Sequence, residues 1–166
     1  MEAIYIVKNG KPDIAFQLRT ITLKEPENDE VLIEVEAFGI NFADVVARLG
    51  LYRECPPLPA VVGYEVVGKI MKIGASVDDL EIGDRVVAFT FFGGYATHVV
   101  TNQKAVVRID ENFSTGKALA LAVQYCTAYY ASNIACHVFE NEKVLIQAGA
   151  GGVGTALIQL CRLKNC

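Results

Sequence analysis

The pattern of apolar and polar positions divides the chain into two parts of different character. In the first, longer part, short runs rich in β-branched residues alternate with turns, and residues 33–37 alternate strictly between apolar and polar. Turn dipeptides such as Asn9-Gly10 and Gly83-Asp84 separate the runs. The predicted strands are 3–7, 14–23, 31–38, 66–73, 85–91, 95–100 and 105–109. Many short strands with frequent turns predict a β-rich, partly closed barrel.

Helical patterns occur in two places. Residues 41–49 predict a short helix within the β-rich part. After residue 112 the pattern changes, and residues 117–135, rich in Ala and Leu, predict a longer helix. Its apolar character raises the alternative of a membrane span, but polar residues such as Gln124 and Asn133 interrupt it. We therefore interpret it as a buried inter-domain helix.

Glycines follow an apolar run in the C-terminal part of the chain. Residues 143–148 predict a buried strand, and the spacing G-x-G-x-x-G comes directly after it and before a helix-like segment. Glycines permit a tight turn and leave room for a pyrophosphate, which the N–H groups of the next helix attract. Strand, turn and helix in this order make the motif stronger than glycines alone. The predicted cofactor-binding residues are Gly149, Gly151, Gly152, Val153 and Gly154, with an ordinary glycine-rich turn as the alternative.

The dinucleotide-binding pattern is represented by a single βα unit. Such a fold needs several units, because a parallel strand is buried on both faces and paired along its edges. The residue that reads the ribose, about 20 positions after the glycines, falls past Cys166. We therefore expect the N-terminal part of a longer protein, inactive by itself. The expected regions are a substrate domain at 1–112, an inter-domain helix at 113–137 and the start of a dinucleotide-binding domain at 138–166.

Composition and charge limit which kinds of binding partner and which cellular location we expect for this chain. The chain is 52% hydrophobic with a net charge of −4 and no basic cluster, which argues against nucleic acid and anionic membranes as partners. The N-terminus lacks the basic, apolar and small-residue pattern of an export signal. The five cysteines are odd in number and form no C-x-x-C motif, which indicates reduced thiols. We therefore expect a cytoplasmic location.

Several motifs in order resemble the medium-chain dehydrogenase/reductase superfamily, and specifically its zinc-free quinone oxidoreductase branch. They are Gly-Ile-Asn-Phe-Ala-Asp at 39–44, Gly-Tyr-Glu-Val-Val-Gly at 63–68, Gly-Asp-Arg-Val at 83–86, Thr-Ala-Tyr at 127–129 and the glycine turn. The details are most similar to the vesicle amine transport protein-like members. The resemblance implies an α/β protein, in which a GroES-like partly closed barrel precedes the first βα unit of a Rossmann fold. It also implies NADPH as cofactor, with NADH as the alternative, and a homodimer in the full-length parent.

The resemblance also bears on zinc. Zinc-dependent members place a cysteine ligand where this chain has Asn41 and a histidine ligand where it has Tyr64. Their second zinc site needs closely spaced cysteines, but Cys55 is the single cysteine before Cys126. Because zinc needs such ligands in tetrahedral sets, we expect no bound metal. Alcohol oxidation of the zinc type is then disfavoured.

The hydride chemistry that remains is reduction of an acceptor that carries its own polarisation. The expected function is hydride transfer from NADPH to a quinone or to an activated alkene or carbonyl. A reductase of 2-enoyl thioesters is one alternative. A non-catalytic binding or scaffold protein that retains the fold is the other.

The resemblance assigns candidate site residues outside the glycine turn. Asn41 and Tyr52 are the catalytic candidates, and Asn41, Phe42, Thr127 and Tyr130 are the cofactor-binding candidates. The Asn41 amide can bond a nicotinamide ribose or a substrate carbonyl, with an N-cap role as the alternative. The Tyr52 phenol can donate to a developing oxyanion, with loop packing as the alternative. Helix-core packing is the rival explanation for Tyr130.

Two carboxylates near these candidates in the sequence are predicted to have structural functions. Glu65 is interpreted as a remnant of the hydrogen-bonding shell around the zinc of relatives, satisfied here by a local hydrogen bond, in preference to a catalytic acid. Asp44 is interpreted as a structural carboxylate in the first turn of a helix.

Overall fold

The computed structural model describes all residues, 1–166, as a mixed α/β protein. The chain divides into two compact units, Met1–Leu119 and Ala120–Cys166, which we call the N-terminal and the C-terminal unit. All eight strands lie in the N-terminal unit. The division into three regions expected from the sequence stays a prediction about the whole protein.

The strands of the N-terminal unit form two antiparallel sheets. The elements are β1 (Glu2–Ile6), α1 (Pro12–Ala15), β2 (Phe16–Thr20), β3 (Glu30–Phe38), α2 (Phe42–Arg48), β4 (Ala60–Val61), β5 (Glu65–Ile73), β6 (Arg85–Phe89), β7 (His98–Asn102), a 3₁₀ turn (Gln103–Ala105), β8 (Val106–Arg108) and α3 (Thr115–Ala120), which reaches the unit boundary. The three-stranded sheet has the order β2-β1-β4 and the five-stranded sheet the order β7-β3-β5-β6-β8, and neither closes into a full barrel.

Two apolar clusters hold this unit together. The larger one packs buried side chains from one face of the five-stranded sheet, among them Val31, Ile33 and Val66. The alternation along β3 places Val31 and Ile33 on the same face, as period-2 patterning requires. The smaller cluster joins Ile6 of β1 and Ala47 of α2 to residues of the loops around β4. This second cluster fixes helix α2 beside the start of β5.

Two of the predicted strands differ from the structure by two or three residues at both ends. The run at 14–23 begins with a helical turn, because Pro12 at the first helical position starts α1, and the strand is limited to Phe16–Thr20. The strand predicted at 95–100 is found at His98–Asn102. The segment before it bonds instead to β1, where the N–H of Ile4 donates to the carbonyl of Tyr95 at 2.8 Å.

The C-terminal unit is helical. The helical character predicted at 117–135 is confirmed, and beyond α3 the helix continues as a π-helical turn (Leu121–Tyr125), α4 (Cys126–Tyr129) and a second π-helical turn (Tyr130–Ala135). The burial predicted for this helix is wrong for this structure, because its buried residues are limited to Ala118, Ala128 and Ser132. A last helix, α5, spans Gly152–Leu163. The strand predicted at 143–148 is wrong for this structure, because no segment pairs with it and a strand is defined by its ladder of hydrogen bonds. No helix has both the length and the apolarity that crossing a membrane requires.

Candidate functional site

Asn41 lies at the N-cap of helix α2 in an extended conformation, with φ −116° and ψ 155°. Its backbone N–H donates a 2.8 Å hydrogen bond to Oδ2 of Asp44, which lies in the first turn. The Asn41 side chain faces the N–H of Asp44 in return, which completes a reciprocal capping box. The structure therefore contains the N-cap arrangement, which is one of the two interpretations of Asn41 that the sequence allowed.

The side chain of Asn41 also contacts Glu65 at the start of β5. Its Nδ2 donates to both carboxylate oxygens, at 3.0 Å to Oε1 and 2.8 Å to Oε2. Glu65 is only 1% exposed. Gly39 makes room for this side chain, because a Cβ atom at Gly39 would overlap Oε1 of Glu65. The local hydrogen bond expected for Glu65 is therefore present, and Asn41 is its donor.

Burial changes the protonation of both carboxylates. It raises the pKa of Glu65 to about 7; donation from Asn41 opposes the increase, and the nearby charge of Asp44 adds to it. Burial likewise raises the pKa of Asp44, although bonds from Asn41 and from the Tyr95 hydroxyl oppose the shift. The Oδ1 atom of Asp44 has no partner. Two carboxylates with raised pKa values thus lie next to the Asn41 amide.

Aromatic side chains flank this carboxylate pair. The ring of Tyr52 meets Tyr64 edge to face, with centroids 6.2 Å apart, and Tyr64 meets Phe92 at 5.4 Å. The Tyr64 hydroxyl is buried without a hydrogen-bond partner, and burial raises its pKa. The charge of Asp44 also raises the pKa of Tyr64, so Tyr64 lies near both Tyr52 and the carboxylate that bonds Asn41. Tyr52 is half-buried, which is consistent with either of its two interpretations.

Phe42 differs from its neighbours in the cluster. It is the first residue of α2, and its side chain is 80% exposed. A phenylalanine this exposed buries little apolar surface within the N-terminal unit, so most of its ring is accessible to a ligand.

The glycine turn lies in the C-terminal unit. Ala148 has φ 52°, its carbonyl accepts the N–H of Gly151 at 2.9 Å, and Gly151 is the N-cap of α5 without any side-chain cap. The first helical hydrogen bond runs from the N–H of Thr155 to the carbonyl of Gly151 at 2.8 Å. The N–H groups between them have no partner within the helix. The turn therefore offers free donors and the positive end of the α5 dipole.

The glycines of this turn are needed for different reasons. A Cβ at Gly154 would overlap the carbonyl oxygen of Ala148, so Gly154 allows the turn to pack on its helix. A Cβ at Gly152 would meet the Gln124 side chain at 2.7 Å, so this glycine also serves the packing of the unit. At Gly151 a Cβ would approach nothing closer than 3.3 Å. Gly151 is thus a position where packing within the unit does not by itself require glycine, and Gly149 is another, since a Cβ there would approach nothing closer than 3.3 Å.

Thr127 and Tyr130 lie on the helical segment of the same unit. Thr127 belongs to α4 and is exposed, and Tyr130 begins the second π-helical turn and is 60% exposed. Core packing therefore does not explain Tyr130 in this structure. Nearby, the Tyr125 hydroxyl donates to Oε1 of Gln159 at 2.7 Å and ties this segment to α5.

Sequence reasoning missed Tyr95, whose hydroxyl bonds Asp44 at 2.9 Å from 51 positions along the chain. No spacing or motif points to this pairing. Sequence reasoning also gave Gly39 no function beyond its place in the family motif. The glycine directly before the Ile-Asn pair could have indicated that another side chain packs closely there. No group of three or more His, Cys, Asp or Glu side chains in the structure is arranged to hold a metal ion.

The family model of the alcohol dehydrogenase GroES-like domain matches residues 27–111. Quinone oxidoreductase-like protein 2 of Mus musculus is 39% identical over 131 residues, which is 79% of this chain and 37% of that protein. The solved structure of the human synaptic vesicle membrane protein VAT-1 homolog-like protein aligns with a TM-score of 0.93 at 34% identity. The alignment covers 99% of this chain and 54% of the VAT-1 homolog-like chain.

Two solved reductases align almost as well. The Escherichia coli quinone oxidoreductase complexed with NADPH has a TM-score of 0.90 at 30% identity, with 99% of this chain and 50% of that one covered. The CurK enoyl reductase has a TM-score of 0.90 at 29% identity, covering 99% and 52%. This chain therefore spans about half the length of the solved relatives it matches. By its matching domain, relatives and fold, the chain belongs to the quinone oxidoreductase branch of the medium-chain dehydrogenase/reductase superfamily.

Proposed function

We propose that the full-length gene product is a zinc-independent reductase that transfers hydride from NADPH to a quinone or to an activated alkene or carbonyl. The observation that carries the proposal is the contact between Asn41 and Glu65. Zinc-dependent relatives have a thiolate where Asn41 stands, whereas here an amide nitrogen is engaged by a buried carboxylate. An amide nitrogen engaged in this way is not a zinc ligand.

The residues of the glycine turn are suited to a dinucleotide. Free N–H groups at the start of α5 attract a pyrophosphate, and Gly151 adds no side chain to obstruct it. The resemblance adds Asn41, Phe42, Thr127 and Tyr130 as further contacts of the cofactor. We propose NADPH in preference to NADH because the solved E. coli relative is a complex with NADPH. When bound, this cofactor supplies the hydride.

Tyr52 is the proposed donor to the substrate. Negative charge develops on the acceptor oxygen as hydride arrives, and a phenol placed beside that oxygen stabilises the charge. Tyr52 is half-buried against Tyr64, so its ring is held by packing. Without a metal to polarise it, the substrate must be polarised already, as quinones and enones are.

A 2-enoyl thioester reductase is the second candidate, because the CurK enoyl reductase has the same fold at 29% identity. Both candidates use the same cofactor and the same hydride chemistry. They differ in the acceptor. As the resemblance implied, we further propose that the full-length protein is a homodimer.

The test compares acceptors with the full-length gene product. Loss of reduced-nicotinamide absorbance is followed with a benzoquinone, an enone and a crotonyl thioester, and bound zinc is measured after treatment with a weak chelator. We expect turnover with the quinone or the enone and no stoichiometric zinc. Tyr52→Phe should lower kcat by about tenfold or more, since one oxyanion donor is lost. Tight NADPH binding without turnover of any acceptor would favour a binding protein, and retained zinc would contradict the proposal.

A further inference from the structure

We propose that Glu65 is a positioning residue for Asn41. Its carboxylate holds the nitrogen end of the Asn41 amide, so that Asn41 offers its oxygen, a hydrogen-bond acceptor, to a bound cofactor. This inference rests on the proposed function, in which the cofactor contacts Asn41. It specifies what kind of group Asn41 can bind.

The orientation follows from the chemistry of the two ends of an amide. A carboxylate accepts hydrogen bonds and does not donate them, so Glu65 in its ionised form, above its pKa of about 7, pairs with the amide nitrogen and repels the amide oxygen. Both distances, 3.0 and 2.8 Å, join Nδ2 of Asn41 to Glu65. Because Glu65 is buried, the nitrogen end points into the protein and the oxygen end points away from Glu65.

A second carboxylate fixes the backbone of the same residue. Asp44 accepts the N–H of Asn41 at 2.8 Å, and the side-chain oxygen of Asn41 faces the N–H of Asp44. One of the two lone pairs of that oxygen remains for a ligand. The titratable groups facing Glu65 are Asp44 on α2 and Tyr95 on the loop before β7. Neither carries a positive charge, so the Asn41 amide is the group that stabilises the ionised Glu65.

The orientation bears on the two partners considered for Asn41. Glu65 is buried and holds the nitrogen end of the amide, so the end that it directs away from itself is the acceptor oxygen. A ribose hydroxyl or the amide of a nicotinamide supplies a donor and needs an acceptor. The oxygen of Asn41 is therefore assigned to such a donor group of the cofactor.

Exchanging the two side-chain types tests this assignment. In Asn41→Asp, measured above pH 7 where Glu65 is ionised, the introduced carboxylate cannot donate to Glu65 and is repelled by it, so NADPH affinity should fall by about tenfold. In the double variant Asn41→Asp with Glu65→Gln, the introduced glutamine amide donates to one oxygen of the introduced aspartate, and the other oxygen is again an acceptor for the ligand. Affinity should return to within about threefold of the parent. Full affinity in Asn41→Asp, or no recovery in the double variant, would overturn the proposal.

A measurement without cofactor separates this proposal from the proposed function. If the parent protein does not bind NADPH, the proposed function fails, and the orientation of Asn41 is read directly by nuclear magnetic resonance. In protein labelled with nitrogen-15 asparagine, the side-chain signal that disappears in Asn41→Ser belongs to Asn41. We expect this signal to shift in Glu65→Gln while other side-chain amide signals stay in place. An unchanged Asn41 signal would show that Glu65 does not hold the amide.

Discussion

The hydroxyl of Tyr95 donates a 2.9 Å hydrogen bond to Oδ2 of Asp44. Both residues are buried, and Asp44 is the carboxylate that caps the backbone of Asn41. The Tyr95 ring also packs on Phe38 with centroids 4.6 Å apart. This one bond therefore connects the loop before β7 to the start of helix α2, and it supports the residue that carries the proposed cofactor contact.

Removing this hydroxyl should destabilise the protein. Tyr95→Phe leaves a buried carboxylate with one partner fewer, and we expect the free energy of unfolding to fall by about 1–3 kcal/mol. Tyr64→Phe is the matched control, because its hydroxyl is also buried but has no partner. That variant should be neutral or more stable by up to about 1 kcal/mol. Denaturant unfolding of both variants is the measurement, and equal destabilisation would refute the assigned hydrogen bond.

A methyl group at position 39 should disturb the site without altering its chemistry. In Gly39→Ala the Cβ overlaps Glu65, which is buried and cannot move into solvent, so we expect a loss of about 1–3 kcal/mol. Gly116→Ala is the control, since no atom lies within 4 Å of the added Cβ and the residue is in helix α3. The control should gain up to about 1 kcal/mol. Thermal unfolding compares the two, and a stable Gly39→Ala would contradict the packing described for Glu65.

The pKa of Glu65 predicts how stability depends on pH. Its folded value of about 7 lies above the ordinary value of 4.5, so the folded protein binds this proton more tightly than the unfolded chain does. The associated stability is fully present below about pH 4.5 and is lost as the pH rises through 7. Glu65→Gln removes this titration. The free energy of unfolding of the parent, measured relative to the variant, should fall by up to about 3 kcal/mol between those limits, and parallel profiles would contradict the shift.

Local patterns in the sequence predicted most elements of the fold. The alternation at 33–37 identified β3, and the Ala- and Leu-rich run identified the long helix. The π-helical turns within that helix have no signal in composition. The segment 143–148 was predicted as a strand from its apolar residues, but a strand also needs a neighbouring strand to pair with, and none pairs with this segment. Propensity thus predicted where elements occur, whereas pairing decided whether an apolar run became a strand.

The parts of the candidate site that depend on local motifs were predicted from the sequence, and the contacts between distant residues were not. Asn41 and the glycine turn follow from motifs, which are local. The contact of Asn41 with Glu65 spans 24 positions and that of Asp44 with Tyr95 spans 51. Such pairings arise when the sheet and the loops bring distant segments together, and neither periodicity nor spacing encodes them.

Cofactor binding at the glycine turn is the most direct test of the proposed function. Gly151 is the N-cap of α5 with ordinary φ and ψ, so Asn and Asp both fit there and both cap helices well. The two variants have nearly the same shape, but Asp places a negative charge where the pyrophosphate is expected to bind. NADPH titration of the full-length gene product should show a dissociation constant at least about tenfold higher for Gly151→Asp than for Gly151→Asn. Equal constants for the two variants and the parent would show that the nucleotide does not bind at this turn.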